Sequence, residues 1–153
     1  MTSSADCRFC TTTEGRTFGS VRVLFDGYAV TPMHVLVIPR AHRETYFDLS
    51  DEEREDTHRV FTALSKAYRK FGVTGFNIGW NAGVDAGQTI MHAHGHLIPR
   101  CEGDMPDPRG GVRGVIPERQ YYDKSVPPQE PGELAKEIVR VALAGLREDA
   151  TGF

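Results

Sequence analysis

No stretch of this sequence holds an apolar run long enough to cross a bilayer, so a membrane-spanning protein is not expected. Basic charge is not in excess either. Lys and Arg number 18 against 21 Asp and Glu, a net charge of −3. A nucleic-acid-binding surface normally needs the opposite balance, and no nucleic-acid partner is expected. Cysteine is scarce, with only 3 residues, which excludes a disulfide-stapled secreted scaffold. Met1–Asp6 is short and polar and lacks the apolar stretch of a signal peptide, so the expected location is cytoplasmic. There is no internal repeat and no low-complexity tract. What remains is an ordinary globular composition, 39% hydrophobic and 25% charged over 153 residues. That is enough for one domain over residues 1–153 with a single core.

Hydrophobic periodicity then divides the chain. Phe18–Phe25 alternates as a strand and Asp26-Gly27 marks a turn. Ala29–Pro32 reads as a short extended piece. His34–Ile38 is an almost unbroken apolar run stopped by Pro39, which predicts a buried strand. Ser50 with Glu53 makes a capping box for a helix over Asp51–Phe71, whose apolar stripe is Val60, Phe61, Leu64, Tyr68 and Phe71. Phe76, Ile78 and Trp80 alternate in a strand with one buried face, and Gln88–Ile98 is another strand. Residues 99–132 are loop-rich, and a helix over residues 133–149 closes the chain. The fold class is α+β, a mainly antiparallel sheet with helices packed on one face.

Chemistry concentrates in His92-Ala93-His94-Gly95-His96. On a strand the three imidazoles point to one face, while Ala93 and Gly95 leave room for close approach on the other. Three rings on one face have a poor structural rationale, because each buried ring needs polar partners. Two functions compete. The rings bind a catalytic metal together, or one is a nucleophile towards phosphorus while its neighbours orient and protonate.

The surrounding residues carry a resemblance. Gly87–Arg100, read as GQTIMHAHGHLIPR, resembles the signature of the histidine-triad (HIT) family. Thr31–His42 (TPMHVLVIPRAH) is similar to the family's upstream strand and turn, and Phe76–Gly83 (FNIGWNAG) to the strand before the triad loop. The likeness covers roughly residues 7–100 and implies the HIT-like α+β fold and a homodimer. It also implies a small-molecule nucleotide substrate, attacked at its α-phosphorus by His94 to form a nucleotidyl-histidine that water then hydrolyses. Candidate substrates are a dinucleoside polyphosphate or a nucleoside phosphoramidate. His96, Asn81, Gln88 and Thr89 are implied as contacts to the phosphate or leaving group. Asp26, eight residues before His34, matches the ribose-binding position, with His34 beside it.

Rival readings keep the same residues. A nucleotidyltransferase or phosphorylase differs only in the second nucleophile, and retention of histidine at His96 favours hydrolysis over the uridylyl-transferase branch. A nucleotide-binding interaction protein would use the pocket without turnover.

Cys7-Arg8-Phe9-Cys10 has the spacing of a metal half-site, or of two free thiols. The resemblance to cysteine-bearing bacterial family members implies structural zinc held by Cys7, Cys10, His42 and His92. Finally, Asp107–Gly114 (DPRGGVRG) combines glycines with Arg109 and Arg113, candidate contacts to a leaving phosphate. A surface loop is the plain alternative.

Overall fold

The computed structural model describes residues 6–121, 125 and 130–149. It opens with a one-turn helix α1, Arg8–Thr11. Strands β1 (Arg16–Phe18) and β2 (Val21–Phe25) form a hairpin over Gly19-Ser20, where one strand over Phe18–Phe25 is expected. The hairpin is tied to the next helix by Ser20, whose amide and hydroxyl both donate to Asp56 at 2.8 Å. Strand β3, Val35–Pro39, is buried at every position, as its apolar run predicts. The expected extended piece before it is a turn. Thr31-Pro32-Met33-His34 closes with the His34 amide donating to Thr31 O at 3.2 Å, and Met33 takes φ 66°.

Helix α2, Asp51–Arg69, begins at the expected capping box. Glu53 N–H donates to Ser50 Oγ at 3.2 Å and Ser50 N–H to Glu53 Oε2 at 2.7 Å. It stops short of Phe71, which is 76% exposed rather than part of the apolar stripe. Strands β4 (Gly75–Trp80) and β5 (Gly95–Arg100) complete an antiparallel sheet in the order β1-β2-β3-β5-β4. Strand β4 lies at the edge, and Ile78 on it is 51% exposed rather than buried.

Both faces of the sheet are covered. Val21, Val35, Val37 and Leu97 pack on Val60 and Phe61 of α2. On the opposite face Leu24, Leu36 and Ile38 pack on Cys7 and Phe9, so the N-terminal turn acts as the second layer. Residues from Tyr121 onward form a separate compact unit. It carries helix α3, Glu133–Asp149, whose Leu134, Ile138 and Val141 are exposed. Among the described residues no helix is long and apolar enough to cross a membrane.

Candidate active site and metal centre

The three histidines do not share one strand. Strand β5 starts only at Gly95, and Gln88–His94 is irregular. The ladder with β3 ends at Val37↔Gly95 because the next outward partner, Pro39, has no N–H to give. Its carbonyl accepts instead from His92 Nε2–H at 2.9 Å. The Ala93 amide finds Arg43 O at 2.6 Å. This turn sends the His92 ring away from the other two.

His92 is fully buried and joins a four-ligand cluster. Its Nδ1 lies 3.4 Å from both Cys7 Sγ and Cys10 Sγ, and His42 Nδ1 lies 3.3 Å from Cys10 Sγ. All four donor atoms lie within 4.8 Å of one another. Tetrahedral Zn–S and Zn–N bonds of about 2.3 and 2.0 Å put sulfur and nitrogen roughly 3.5 Å apart, so the spacing fits a closed site. The tautomer fits as well. With Nε2–H spent on Pro39 O, Nδ1 keeps its lone pair, and an outer-shell carbonyl of this kind is what a metal-bound imidazole uses. Cys10 without a metal is pushed up to about 11 by burial, with the neighbouring Cys7 adding to it. A bound cation is what would hold Cys10 as a thiolate at neutral pH.

A second trio, Asp26, His34 and His96, also clusters within 4.8 Å. Here the tautomer argues the other way. The Val30 amide donates to His34 Nδ1 at 3.3 Å, which assigns the proton to Nε2. That proton points to His96 Nδ1 at 3.0 Å, with Asp26 Oδ2 at 3.5 Å. The trio is therefore a hydrogen-bond chain that leaves His96 with Nε2–H as a donor. Burial holds both imidazoles below the ordinary histidine range, with Asp26 partly opposing it.

His94 sits between the two groups. Its Nδ1–H donates to His92 O at 2.8 Å, so Nε2 carries the free lone pair. The His94 and His96 rings are 5.3 Å apart. Both line a cavity of about 350 Å³. Register explains its floor. Leu24 pairs with Leu36 and Leu36 with His96, which places these three side chains on one face of the sheet. Asp26 and Thr89 border the same cavity.

Other expected contacts lie elsewhere. Gln88 is buried with its carboxamide fully engaged: Nε2 donates to Glu44 O at 2.6 Å and Ile90 O at 3.0 Å, and Oε1 accepts from Gly83 N–H at 2.8 Å. In this arrangement both N–H groups are engaged by backbone carbonyls, and the side chain clasps the triad loop. Asn81 reaches Gly87 O at 3.5 Å. Arg109 pairs with Asp107 at 2.7 Å, and Arg113 donates to the carbonyls of Arg119 and Gln120 at 2.8 and 3.3 Å. Neither arginine borders the His94 cavity. Arg8 and Phe9, the two residues between the cysteines, do border it. Their position within Cys-x-x-Cys, which carries the metal turn under the sheet, is the signal that could have found them.

The HIT domain family model matches residues 17–103. The chain belongs to the HIT family. This family comprises hydrolases and transferases acting on nucleotides. Over 132 residues the chain is 31% identical to an uncharacterized HIT-like protein of Saccharolobus solfataricus, a match covering 76% of this chain and 90% of that one. It is 39% identical over 82 residues to the asymmetrical bis(5'-nucleosyl)-tetraphosphatase of Schizosaccharomyces pombe, covering 51% of this chain but only 43% of that enzyme. A Zn-bound histidine triad family protein from Mycobacterium smegmatis superposes with a TM-score of 0.59 at 26% identity, covering 95% of this chain and 99% of that one.

Proposed function

We propose that this HIT protein hydrolyses a nucleotide at its α-phosphorus, with a dinucleoside polyphosphate or a nucleoside phosphoramidate as substrate. The observation that carries the reading is the bond from His94 Nδ1–H to His92 O, which leaves an unprotonated Nε2 at the cavity. In the first step the Nε2–P bond forms while the bond from phosphorus to the leaving group breaks. The departing atom leaves with the electron pair of the broken bond and takes its proton from solvent water at the cavity. His96 Nε2–H donates a hydrogen bond to it, and His34 Nε2–H, donating to His96 Nδ1, holds that tautomer. Water then attacks the nucleotidyl-His94 and releases the monophosphate. Asp26 accepts from the ribose hydroxyls, which a carboxylate does well. Thr89, which borders the cavity, serves the nonbridging oxygens as a neutral donor.

Cys7, Cys10, His42 and His92 hold zinc in this reading. The ion is structural, since four protein ligands leave no open position. The exposed edge of β4 is where a second copy would continue the sheet into a homodimer. Cysteines held as metal ligands and not as a disulfide suit a reducing, cytoplasmic setting.

The test is a quenched single turnover of diadenosine tetraphosphate and of adenosine phosphoramidate, read by intact-protein mass. Wild type should show a nucleotidyl adduct, and His94→Ala should lose activity by at least about a thousandfold. Full turnover by the alanine variant overturns the reading. Product released onto phosphate or a sugar phosphate in place of water identifies a transferase.

A further inference from the structure

His94 takes its tautomer from the carbonyl of His92, which accepts from its Nδ1–H at 2.8 Å. That carbonyl belongs to the same planar peptide group as the Ala93 N–H, and in a trans peptide the two point in opposite directions. The Ala93 N–H donates to Arg43 O at 2.6 Å. One rigid unit therefore joins Arg43 O to the imidazole of the nucleophile. A displacement of Arg43 turns the acceptor that orients His94, and a hydrogen bond at one end of the peptide strengthens the bond at the other.

What fixes Arg43 is its own side chain. Residues 40–45 follow β3 and belong to no strand or helix, so no ladder holds their backbone. The Arg43 Nε–H donates to both carboxylate oxygens of Glu53, at 3.0 and 3.2 Å. Glu53 is 3% exposed and sits on the first turn of α2, where its Oε2 also accepts from the Ser50 N–H at 2.7 Å. A carboxylate buried this far needs such partners. With both in place it is a fixed post rather than a mobile surface charge.

We propose that Glu53 and Arg43 are positioning residues for the nucleophile: their ion pair holds Arg43 O against the His92–Ala93 peptide, and that peptide keeps the proton of His94 on Nδ1. The inference rests on His94 attacking through Nε2, as in the function proposed above. It gives α2, none of whose residues lines the cavity, a part in the chemistry.

The experiment compares metal-loaded full-length wild type, Arg43→Met, Arg43→Lys and Ser50→Ala. Ser50→Ala removes the hydroxyl that caps α2 but leaves the Glu53 carboxylate on Arg43, so it reports cap loss alone. Nitrogen-15 spectra at pH 8, above the ordinary histidine range, read the His94 tautomer directly. Wild type and Ser50→Ala should show a protonated Nδ1 and a bare Nε2. Arg43→Met should move His94 Nε2 towards the protonated range, and Arg43→Lys, which restores a charged donor, should reverse most of that move. In single turnover of diadenosine tetraphosphate, Arg43→Met should slow the nucleotidyl adduct about tenfold, the order of one lost hydrogen bond. The half-saturating substrate concentration should stay within about twofold, and Ser50→Ala should match wild type in both. A wild-type tautomer or adduct rate in Arg43→Met, or a Ser50→Ala variant as slow as Arg43→Met, overturns the positioning role. An adduct absent from wild type removes the hydrolase reading instead, and the tautomer spectra then decide the positioning role by themselves.

Discussion

Replacing Gln88 separates two roles that its place in the motif cannot distinguish. The carboxamide joins three backbone groups: Gly83 N–H, Glu44 O and Ile90 O, at 2.8, 2.6 and 3.0 Å. Gln88→Ala strips a partner from each. An unsatisfied buried backbone group costs roughly 1–3 kcal/mol, and the low end applies where water reaches the vacated space. Ile90 O keeps the His92 N–H at 2.8 Å, so two groups are left unsatisfied and the sum is about 2 kcal/mol. For a domain of this size that lowers the melting temperature by about 6 °C. Gln88→Glu should fare no better, because a carboxylate turns an acceptor towards the two carbonyls. Since Thr89 and Ile90 border the cavity, the alanine variant should also raise KM. A residue that only donates to phosphate behaves differently. Its loss leaves the melt unchanged and lowers kcat by about a hundredfold or more. Thermal denaturation of both variants beside steady-state kinetics decides the matter. A melt within about 2 °C of wild type with a collapsed kcat refutes the clasp.

A Cβ added at Gly95 would stand 2.4 and 2.6 Å from the Trp80 ring. Gly95→Ala should therefore cost about 1–3 kcal/mol by overpacking, and fluorescence of the single tryptophan should report the displaced ring; an unshifted melt and spectrum would be the contrary result. His34 and His96 are held below the ordinary histidine range by burial. Their stabilising contribution is complete above the unfolded pKa near 6.5 and is lost as pH falls below it towards the depressed native values, by up to about 1.4 kcal/mol per pH unit for each. Urea midpoints should decline from pH 6.5 to 5 and decline less steeply in a His34→Asn, His96→Asn double variant, where buried His92 still contributes, whereas an invariant wild-type midpoint would sink the argument. Cys10→Ser should reduce retained zinc from one equivalent to none after dialysis and lower the melting temperature of zinc-loaded protein. Equal zinc content in the two proteins would rule out the cluster.

Much of the fold is legible in local pattern. The run at Val35–Ile38 is buried on both faces, and Ser50 with Glu53 starts α2 where the capping box places it. Both follow from forces that act within a few residues. Other features depended on partners distant in sequence. The expected strand over Gln88–Ile98 loses its first half because the opposite residue is a proline, and pairing register is not written locally. Phe71 and Ile78 have core chemistry but find no core to enter, one beyond the end of α2 and the other on an edge strand.

The site divides in the same way. The sequence by itself determined which atoms were available: imidazoles at His92, His94 and His96, thiols at Cys7 and Cys10, and a carboxylate at Asp26. It also determined the family, because side-chain type and spacing are covalent facts. Only the tertiary structure decided their employment. Hydrogen-bond partners fix a tautomer, and those partners come from elsewhere in the chain. Pro39 O frees Nδ1 of His92 for a metal, while Val30 N–H denies His34 the same use. Packing likewise gave Gln88 to the backbone and brought Arg8 to the cavity, because both outcomes depend on which segments meet across the sheet.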